Sequence, residues 1–347
     1  TGIDDIKYHF AMPKRYLNNG TISFFADIDF SNFPYPIEML WTIAISLDSG
    51  ELAQLLNFTL GLLVLCWIYI ICKKALIDLP TTILALCLFY SISNVGHQAR
   101  SGSVEMAGVL FFLAGFYYLN SFNDKYSYKS LALSGIFFGI FSVVKLPNPA
   151  VVILITPWLM FSLYQKNKST KYCLSSGILF SSTAFIIASV WYVKSYIFTG
   201  NPFYPFLQSI FGGLPINIDL LPSVVGDGGL AADASFSHVF SAPSRFFTQL
   251  WYLIAGNKIH LRGHVSPLYL SMLPVVIYTY NNQKRIIKEI IIISFFFYLY
   301  WITFYPALRI GLPLFALLSI PTSISINRFK LKKKFRILLY VLFSLFC

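Results

Sequence analysis

The stretch that decides the fold lies between Leu52 and Cys72 and reads LAQLLNFTLGLLVLCWIYIIC. It holds no charged residue, and its length is close to the roughly 20 apolar residues that a helix needs to cross the hydrocarbon core of a bilayer. Lys73 and Lys74 follow it directly, which is typical of a helix end that faces the cytoplasm. The stretch therefore predicts a transmembrane helix.

The rest of the chain has a similar composition. Of its 347 residues, 56% are hydrophobic and 18% aromatic, and the 12% that are charged are about half the share found in soluble proteins. Further apolar runs lie at about 76–96, 104–120, 128–146, 148–165, 173–194, 265–281, 289–305, 309–326 and 336–347. Together they predict an all-α polytopic membrane protein with about ten visible transmembrane segments. Pro147 and Pro149 interrupt one junction, so a broken or re-entrant helix is expected there.

Basic residues mark one side of this predicted bundle. If residues 1–50 lie outside the cytoplasm, alternate connections collect most of the positive charge: Lys73, Lys74, Lys125, Lys129, Lys166, Lys168, Lys171, Lys284, Arg285, Lys288, Arg328, Lys330, Lys332, Lys333, Lys334 and Arg336. The positive-inside rule makes that side cytoplasmic. The net charge of +12 then reflects topology signals at anionic headgroups and does not indicate a nucleic-acid-binding surface.

Acidic residues and histidines collect on the opposite, outer side. Among the 14 acids, only Asp78, Asp124 and Glu289 fall on the cytoplasmic side, and all five histidines fall outside. Any chemistry is therefore expected at the outer face. The five cysteines lie in apolar runs without a CxxC pair, which favours buried thiols over disulfides or metal ligands.

The first outer loop, residues 1–50, opens with the polar stretch GIDDIKYHFAMPKRYL at 2–17. If it is helical, Asp4 and Asp5 lie about one turn from Tyr8 and His9. A carboxylate beside an imidazole, with cations such as Lys14 nearby, suits the deprotonation of a hydroxyl next to an anionic leaving group. The alternative is a solvated loop ahead of the first membrane helix. Residues 36–47 are too short to span a bilayer and are expected to form an interfacial helix.

A second long outer loop covers residues 195–264. Its opening, KSYIFTGNPFYPFLQSIFGG at 194–213, is rich in aromatics and prolines and predicts an interfacial half-helix. The segment VVGDGGLAADAS at 224–235 lacks the Lys-Ser/Thr of a phosphate-binding loop, so a plain loop is expected. His260 and His264 have the i, i+4 spacing of metal ligands, but the glutamate of HExxH is missing and no metal site is predicted.

Other candidates lie at the outer ends of apolar runs. Glu105 starts such a run, one and two turns after Arg100 and His97, and an acid at that depth usually faces a polar cavity. Lys145 and Arg309 occupy similar positions and could each hold a phosphate. Helix-end solvation, snorkelling and interfacial anchoring are the alternatives for these residues.

Part of the chain resembles a known family. The pattern D-x-x-x-Y-H … P-K-x-Y-L, formed by Asp4, Tyr8, His9, Pro13, Lys14, Tyr16 and Leu17, resembles the first outer loop of bacterial GT-C membrane glycosyltransferases, relatives of the protein O-mannosyltransferases and the aminoarabinose transferases. Four further segments resemble the same group in matching order: SNFPYPIEML at 31–40, GELAQLLNFTLGLL at 50–63, WYVKSYIFTGNPFYPF at 191–206 and ALRIGLPLFALLSIP at 307–321.

The resemblance implies a single membrane module over 1–347, with interfacial helices above a cavity open to the bilayer. It implies that Asp4, or failing that Asp5, is the catalytic base, with His9 and Glu105 beside it. Glu105 stands where the family usually has Asp, so its role is less defined. Lys145, Arg100, Arg309 and Lys14 are the expected contacts of the donor phosphate, and Tyr8, His97 and Glu38 those of the substrate.

The implied reaction moves a sugar, with inversion, from a polyprenyl-phosphate donor to a lipid, glycan or protein acceptor outside the cytoplasm, in a bacterial inner membrane. No cofactor is firmly implied, and a divalent cation is left open. A transporter or flippase of a lipid-linked solute, a glycan polymerase or ligase, and a membrane scaffold are the alternatives. Because the chain starts without Met and stops inside an apolar run, we expect further segments beyond both ends.

Overall fold

The computed structural model describes residues 5–28, 30–47, 50–215, 264–304 and 307–328, and the side chains of all of these except residues 5, 6 and 304. This part of the chain is helical and contains no β-strand, which confirms the all-α prediction. A π-helical turn, Asp5–His9, precedes fourteen α-helices: α1 Ala11–Asn19, α2 Glu38–Leu47, α3 Gly50–Lys74, α4 Leu79–Tyr90, α5 Ser93–Arg100, α6 Glu105–Lys125, α7 Tyr128–Val144, α8 Pro149–Tyr164, α9 Thr170–Thr199, α10 Gln208–Phe211, α11 Leu268–Ser271, α12 Leu273–Tyr278, α13 Arg285–Phe304 and α14 Leu308–Arg328. A 3₁₀ turn, Tyr280–Asn282, lies between α12 and α13.

Four of the described helices are long and apolar enough to cross a membrane, namely α3, α9, α13 and α14. A fifth span is obtained if α4 and α5, which meet at a bend of 74°, are taken together. The ten predicted spans are therefore not confirmed. The run at 265–281 is divided at Met272 into α11 and α12, and the runs at 128–146 and 148–165 form α7 and α8, which have only 17 and 16 residues. The run at 336–347 lies outside the described residues.

Helix α6 lies at the centre of the bundle and packs against α3, α7 and α14. It is buried on all sides, as expected for a helix without a polar face. Its ring at Phe112 contacts Phe138 and Phe141 of α7 and Phe297 of α13, with centroids 4.9–5.6 Å apart. The central position of α6 explains why polar residues at both of its ends are also enclosed by protein.

Helices α7 and α9 approach each other closely along two glycines. A Cβ atom on Gly135 would lie 2.7 Å from the carbonyl oxygen of Phe180, and one on Gly139 would lie 2.7 Å from that of Ala184. The spacing of the two glycines is that of a GxxxG motif, in which small residues let two membrane helices pack backbone to backbone. This contact places the outer end of α9 beside the outer end of α7.

Helix α5 ends inside the bundle because α3 supplies a cap for it. Asn57, fully buried in α3, donates hydrogen bonds from Nδ2 to the carbonyl oxygens of Gln98 at 2.6 Å and Ser101 at 2.7 Å. Carbonyl groups at a helix end are left without partners by the helix itself and are costly to bury unsatisfied. The side chain of Asn57 therefore lets α5 end inside the bundle with these carbonyl groups satisfied.

The first outer loop packs on the turn between α5 and α6. A Cβ atom on Gly102 would lie 2.3 Å from the ring of Phe10, so only glycine allows this contact. Trp41, fully buried in α2, donates its indole N–H to the carbonyl oxygen of Gly102 at 3.0 Å. The π-helical turn, α1 and α2 are thereby held above the first residue of α6. Helix α2 lies within the segment 36–47 that was expected to be helical.

A polar cluster surrounds the C-terminal end of α6. Asp124 forms ion pairs with Lys74 of α3, at 3.0 Å, and with Arg285 of α13. Glu289, one turn after Arg285, is buried and accepts a hydrogen bond from Asn120 at 2.6 Å. These pairs join the ends of three helices. About 30 Å of helix, close to the thickness of a bilayer core, separates this cluster from Glu105.

Candidate functional site

The candidate site is centred on Glu105, the first residue of α6. Its side chain is a carboxylate that is only 3% exposed. Its Oε2 atom accepts a hydrogen bond from the backbone N–H of Val104 at 3.1 Å. A carboxylate at a helix N-terminus is also favoured by the helix dipole. The negative charge of Glu105 still requires nearby cations, because an isolated buried carboxylate is strongly unfavourable.

Two cations from different helices supply this compensation. Lys145 Nζ lies 3.2 Å from Glu105 Oε1, and Arg309 Nε lies 3.7 Å from the same atom. The two basic side chains keep 20% and 25% of their surface exposed, whereas the carboxylate has almost none. The three groups carry a net charge of about +1, with the positive part facing the accessible side. Such an arrangement attracts an anion.

Lys145 is fixed by the turn that ends α7. Asn148 donates a side-chain hydrogen bond to the carbonyl oxygen of Phe141 at 2.9 Å, and its backbone N–H donates to the carbonyl oxygen of Lys145 at 3.0 Å. Its Oδ1 atom accepts a hydrogen bond from the hydroxyl of Tyr300 on α13 at 2.7 Å. Asn148 is 3% exposed, so this network is enclosed. The prolines that were expected to break the helix here leave a turn whose polar groups are satisfied.

Arg309 is fixed in a similar way at the start of α14. Trp301 donates its indole N–H to the carbonyl oxygen of Ala307 at 2.7 Å, and the same indole packs against Gly311. Ala307 and Gly311, which make these two contacts, lie on either side of Arg309 in the sequence. The two cations of the site therefore stand on short, well-supported helix ends.

A buried histidine–carboxylate pair lies next to this group. Nδ1 of His9, in the π-helical turn, is 2.7 Å from Oε1 of Glu38, the first residue of α2, and both side chains are at most 4% exposed. An ionised carboxylate can only accept a hydrogen bond, so Nδ1 must carry the hydrogen and Nε2 is left for another partner. His9 is also close enough to Glu105 for an electrostatic interaction. The pair joins the π-helical turn to the start of α2 within the first outer loop.

Tyrosine side chains lie near the pair of His9 and Glu38. Burial raises the pKa of Tyr16 and of Tyr35 above the ordinary value, and the negative charge of Glu38 raises both further. Both phenols therefore stay protonated well above neutral pH. The hydroxyl of Tyr35 donates to the carbonyl oxygen of Phe30. The ring of Tyr8 lies beside that of His9, with centroids 4.2 Å apart.

This arrangement of helices also occurs in a solved structure. The crystal structure of ArnT from Cupriavidus metallidurans bound to undecaprenyl phosphate matches the chain with a TM-score of 0.62 and 12% sequence identity. The match covers 95% of this chain and 56% of that one, so the chain spans little more than half of that protein. The chain therefore shares its fold with the matched part of that structure. Comparison with protein-family models and with curated protein sequences gives no match.

Within this fold, five of the residues singled out in the sequence form two contacting groups. Glu105, Lys145 and Arg309 form the first, and His9 and Glu38 the second. Tyr8 is buried beside His9. Lys14 is exposed on α1, and His97 and Arg100 are exposed on α5. Asp4 lies outside the described residues, as do the side chain of Asp5 and all of His260.

Lys194 is a polar residue near the site that the sequence interpretation did not single out. It lies near the outer end of α9 and donates from Nζ to the carbonyl oxygen of Phe33 at 3.1 Å. The rings of Tyr35 and Trp191 flank its ammonium group at 5.5 and 5.4 Å. The signal was present in the sequence, because a lysine inside an apolar run is rare and usually has a partner.

Metal-binding groups are limited in the described residues. No cluster there contains three or more His, Cys, Asp or Glu side chains in positions to hold a metal ion. The acidic and imidazole groups at the site are Glu105 and, beside it, the pair of His9 and Glu38.

Proposed function

We propose that this protein is a membrane glycosyltransferase that transfers a sugar from a polyprenyl-phosphate donor to an acceptor on the extracytoplasmic side of a bacterial inner membrane. The observation that carries the proposal is the convergence of Lys145 and Arg309 on the buried Glu105. Two partly exposed cations at fixed helix ends suit a phosphate that approaches from the membrane surface. The GT-C-like fold supports the proposal, because the ArnT structure with this fold is bound to undecaprenyl phosphate.

The chemistry follows from the charges. An acceptor hydroxyl or amine attacks the anomeric carbon as the bond from that carbon to the phosphate oxygen breaks, which inverts the configuration. The departing polyprenyl phosphate gains negative charge, and Lys145 and Arg309 stabilise that charge from positions held before the reaction begins. The acceptor proton passes to a carboxylate of the first outer loop, for which we propose Asp4, with Asp5 as the alternative.

The test is a transfer assay with purified protein in lipid nanodiscs. Radiolabelled polyprenyl-phosphate sugars are supplied with candidate lipid, glycan and peptide acceptors, with added Mg²⁺ or with EDTA. Lys145→Gln should reduce transfer by about tenfold or more, the expected loss for one charge-assisted hydrogen bond to the leaving group. Lys129→Gln is the matched control, because Lys129 is exposed near the opposite end of the same helix.

Two results would contradict the proposal. Equal transfer by the Lys145→Gln and Lys129→Gln variants would remove Lys145 from the donor site. Movement of the labelled lipid across the bilayer without any glycosylated product would indicate the flippase alternative.

The base is tested separately. Asp4→Asn keeps the size of the side chain but removes its basicity, so transfer should fall to the background rate while donor binding is retained. If transfer by this variant stays near the wild-type rate, the same change at Asp5 decides whether the neighbouring carboxylate is the base.

A further inference from the structure

The segment that follows α9, residues 200–214, is an irregular loop built around one asparagine. We call it the Asn201 loop. The sequence predicted an interfacial half-helix here, but the structure has only the single turn α10 within a set of turns. Asn201 is fully buried and sits at the centre of the loop.

The side chain of Asn201 replaces the hydrogen bonds that a helix would have made. Its Nδ2 atom donates to the carbonyl oxygens of Phe206 at 2.9 Å and Gly212 at 3.2 Å, and its Oδ1 atom accepts from the N–H of Phe203 at 2.8 Å. The loop closes where the N–H of Leu214 donates to the carbonyl oxygen of Thr199 at 2.8 Å. Much of the loop backbone is therefore satisfied internally. Backbone groups that are satisfied within the loop lower the cost of moving it from water into the membrane interface.

One face of the Asn201 loop packs on the first outer loop. The ring of Phe206 lies 6.2 Å from that of Phe33, and the ring of Tyr204 lies 6.0 Å from that of Phe24. Deeper in the same contact, Asn32 donates a hydrogen bond to the hydroxyl of Ser195 at 2.6 Å, and this hydroxyl donates to the carbonyl oxygen of Asn201 at 2.7 Å.

The opposite face is apolar and exposed. Ile210 is 64% exposed, and Leu207, Phe211 and Leu214 are each between 37% and 43% exposed. Residues 195–215 contain no Asp, Glu, Lys, Arg or His. Of the two polar residues beside them, Ser209 is exposed and carries only a small hydroxyl, and Gln208 donates its amide to the carbonyl oxygen of Leu214 at 2.9 Å.

This apolar face continues the exposed surface of α9, a helix long and apolar enough to span the membrane. Val190, Val193 and Ile197 are each more than half exposed at its outer end and lead directly to the loop. Lys194, the charged residue at this end of α9, donates to the carbonyl oxygen of Phe33 in the first outer loop. A continuous apolar surface next to a membrane-spanning helix is suited to lipid, since aqueous exposure of such a patch is unfavourable.

We infer that the Asn201 loop is inserted into the outer leaflet, with Leu207, Ile210, Phe211 and Leu214 at the boundary between headgroups and acyl chains. The partner is phospholipid. Because the other face packs on the first outer loop, the membrane surface and the candidate site are joined by a rigid element. The contact with lipid does not depend on the proposed transferase activity.

Photo-crosslinking with a benzoylphenylalanine residue tests this inference. The residue replaces Ile210 in protein reconstituted in nanodiscs of phosphatidylethanolamine and phosphatidylglycerol, and intact-mass spectrometry identifies the adducts. Ile186, exposed near the middle of α9, is the positive control, and Asn18, exposed on α1, is the negative control. A phospholipid adduct is expected at Ile210 in roughly tenfold higher yield than at Asn18, the ratio that burial of one aliphatic side chain sustains.

The inference fails if the yield at Ile210 is no higher than at Asn18, or if the adduct is a second copy of the protein. A second variant tests the role of the hydrogen bonds. Asn201→Ala should abolish the lipid adduct at Ile210 and preserve the adduct at Ile186, which reports that the protein is still folded in the bilayer. Retention of the Ile210 adduct in that variant would show that Asn201 does not organise the inserted face.

Discussion

At the scale of single residues, the charge balance of the candidate site depends on Glu105. Its carboxylate neutralises part of the charge of Lys145 and Arg309 and is itself buried. A carboxylate in this position has two opposing effects. It stabilises the empty site, and it competes with an incoming phosphate for the same two cations.

Glu105→Gln should therefore lower the stability of the empty protein and strengthen phosphate binding. Loss of one partner from a buried ion pair costs several kcal/mol, and the partial exposure of the two cations reduces this to about 1–3 kcal/mol. The melting temperature should fall without ligand, and added polyprenyl phosphate should raise it by more than in wild-type protein. Asp27→Asn, which removes an exposed carboxylate paired with Arg15, should change neither quantity measurably. A smaller ligand-induced shift in Glu105→Gln than in wild type would contradict this account.

The hydrogen bond from His9 to Glu38 gives a second prediction. Glu38→Leu leaves a buried imidazole N–H without an acceptor, which should cost about 1–3 kcal/mol, whereas Glu38→Gln retains an acceptor oxygen. Thermal unfolding should rank wild type and Glu38→Gln close together and Glu38→Leu well below them. Transfer should follow the same order, because His9 lies beside the site. Equal stability of the Leu and Gln variants would show that this bond does not hold the first outer loop.

The sequence was informative about which residues to inspect and less so about how they pair. Glu105, Lys145 and Arg309 were recognisable because ionisable residues at the margin of an apolar run can face a polar cavity. The bond between His9 and Glu38 joins residues 29 positions apart, and no local pattern encodes it. Lys14 and Arg100 have the same charge as Lys145 but are exposed, and only the packing of α1 and α5 distinguishes them.

At the scale of helices, apolar runs predicted most of the helical segments but not where each helix ends. The run at 76–96 forms α4 and the start of α5, which meet at a bend of 74°, and the C-terminal end of α5 is capped by Asn57 within the bundle. That cap comes from a residue more than 40 positions away, so hydropathy could not indicate it. The GxxxG spacing of Gly135 and Gly139, in contrast, was visible in the sequence and does form a helix contact.

The contact between α7 and α9 can be tested at Gly139. Gly139→Leu would place a side chain against the backbone of Ala184, and overpacking of this kind costs about 1–3 kcal/mol or separates the helices. We expect a lower melting temperature in detergent and weaker transfer, since Lys145 follows α7 directly. Gly96→Ala is the control, because a Cβ atom at Gly96 meets nothing within 4 Å. Equal melting temperatures for the two variants would contradict close packing at Gly139.

At the scale of the whole molecule, the two polar clusters at the ends of α6 indicate two sides. The cluster of Asp124, Lys74 and Arg285 contains residues that the positive-inside rule assigned to the cytoplasm, and the candidate site lies one helix length away. The four long apolar helices indicate a membrane protein, while the side on which the site lies is part of the proposal.

Sidedness can be measured in intact cells with a membrane-impermeant thiol reagent and single cysteines introduced into a variant whose five native cysteines are replaced by serine. Asn18→Cys on α1 should react, and Lys129→Cys near the start of α7 should react only after the membrane is permeabilised. Both positions are exposed in the structure, so differences in labelling report the compartment. Reaction of both cysteines in intact cells, or of neither, would place the first outer loop and the basic connections on one side and remove the basis of the proposed site.

The amide of Asn57 has a consequence for how the protein is made. Helix α3 leaves the ribosome before α5, so the group that will receive the end of α5 is already in the membrane when that segment is synthesised. The α5 segment is too short and too polar to be inserted by itself. It can then pack against α3, which is already in the membrane. Insertion of the chain should accordingly be sequential here, with translation order itself supplying the template for the broken helix.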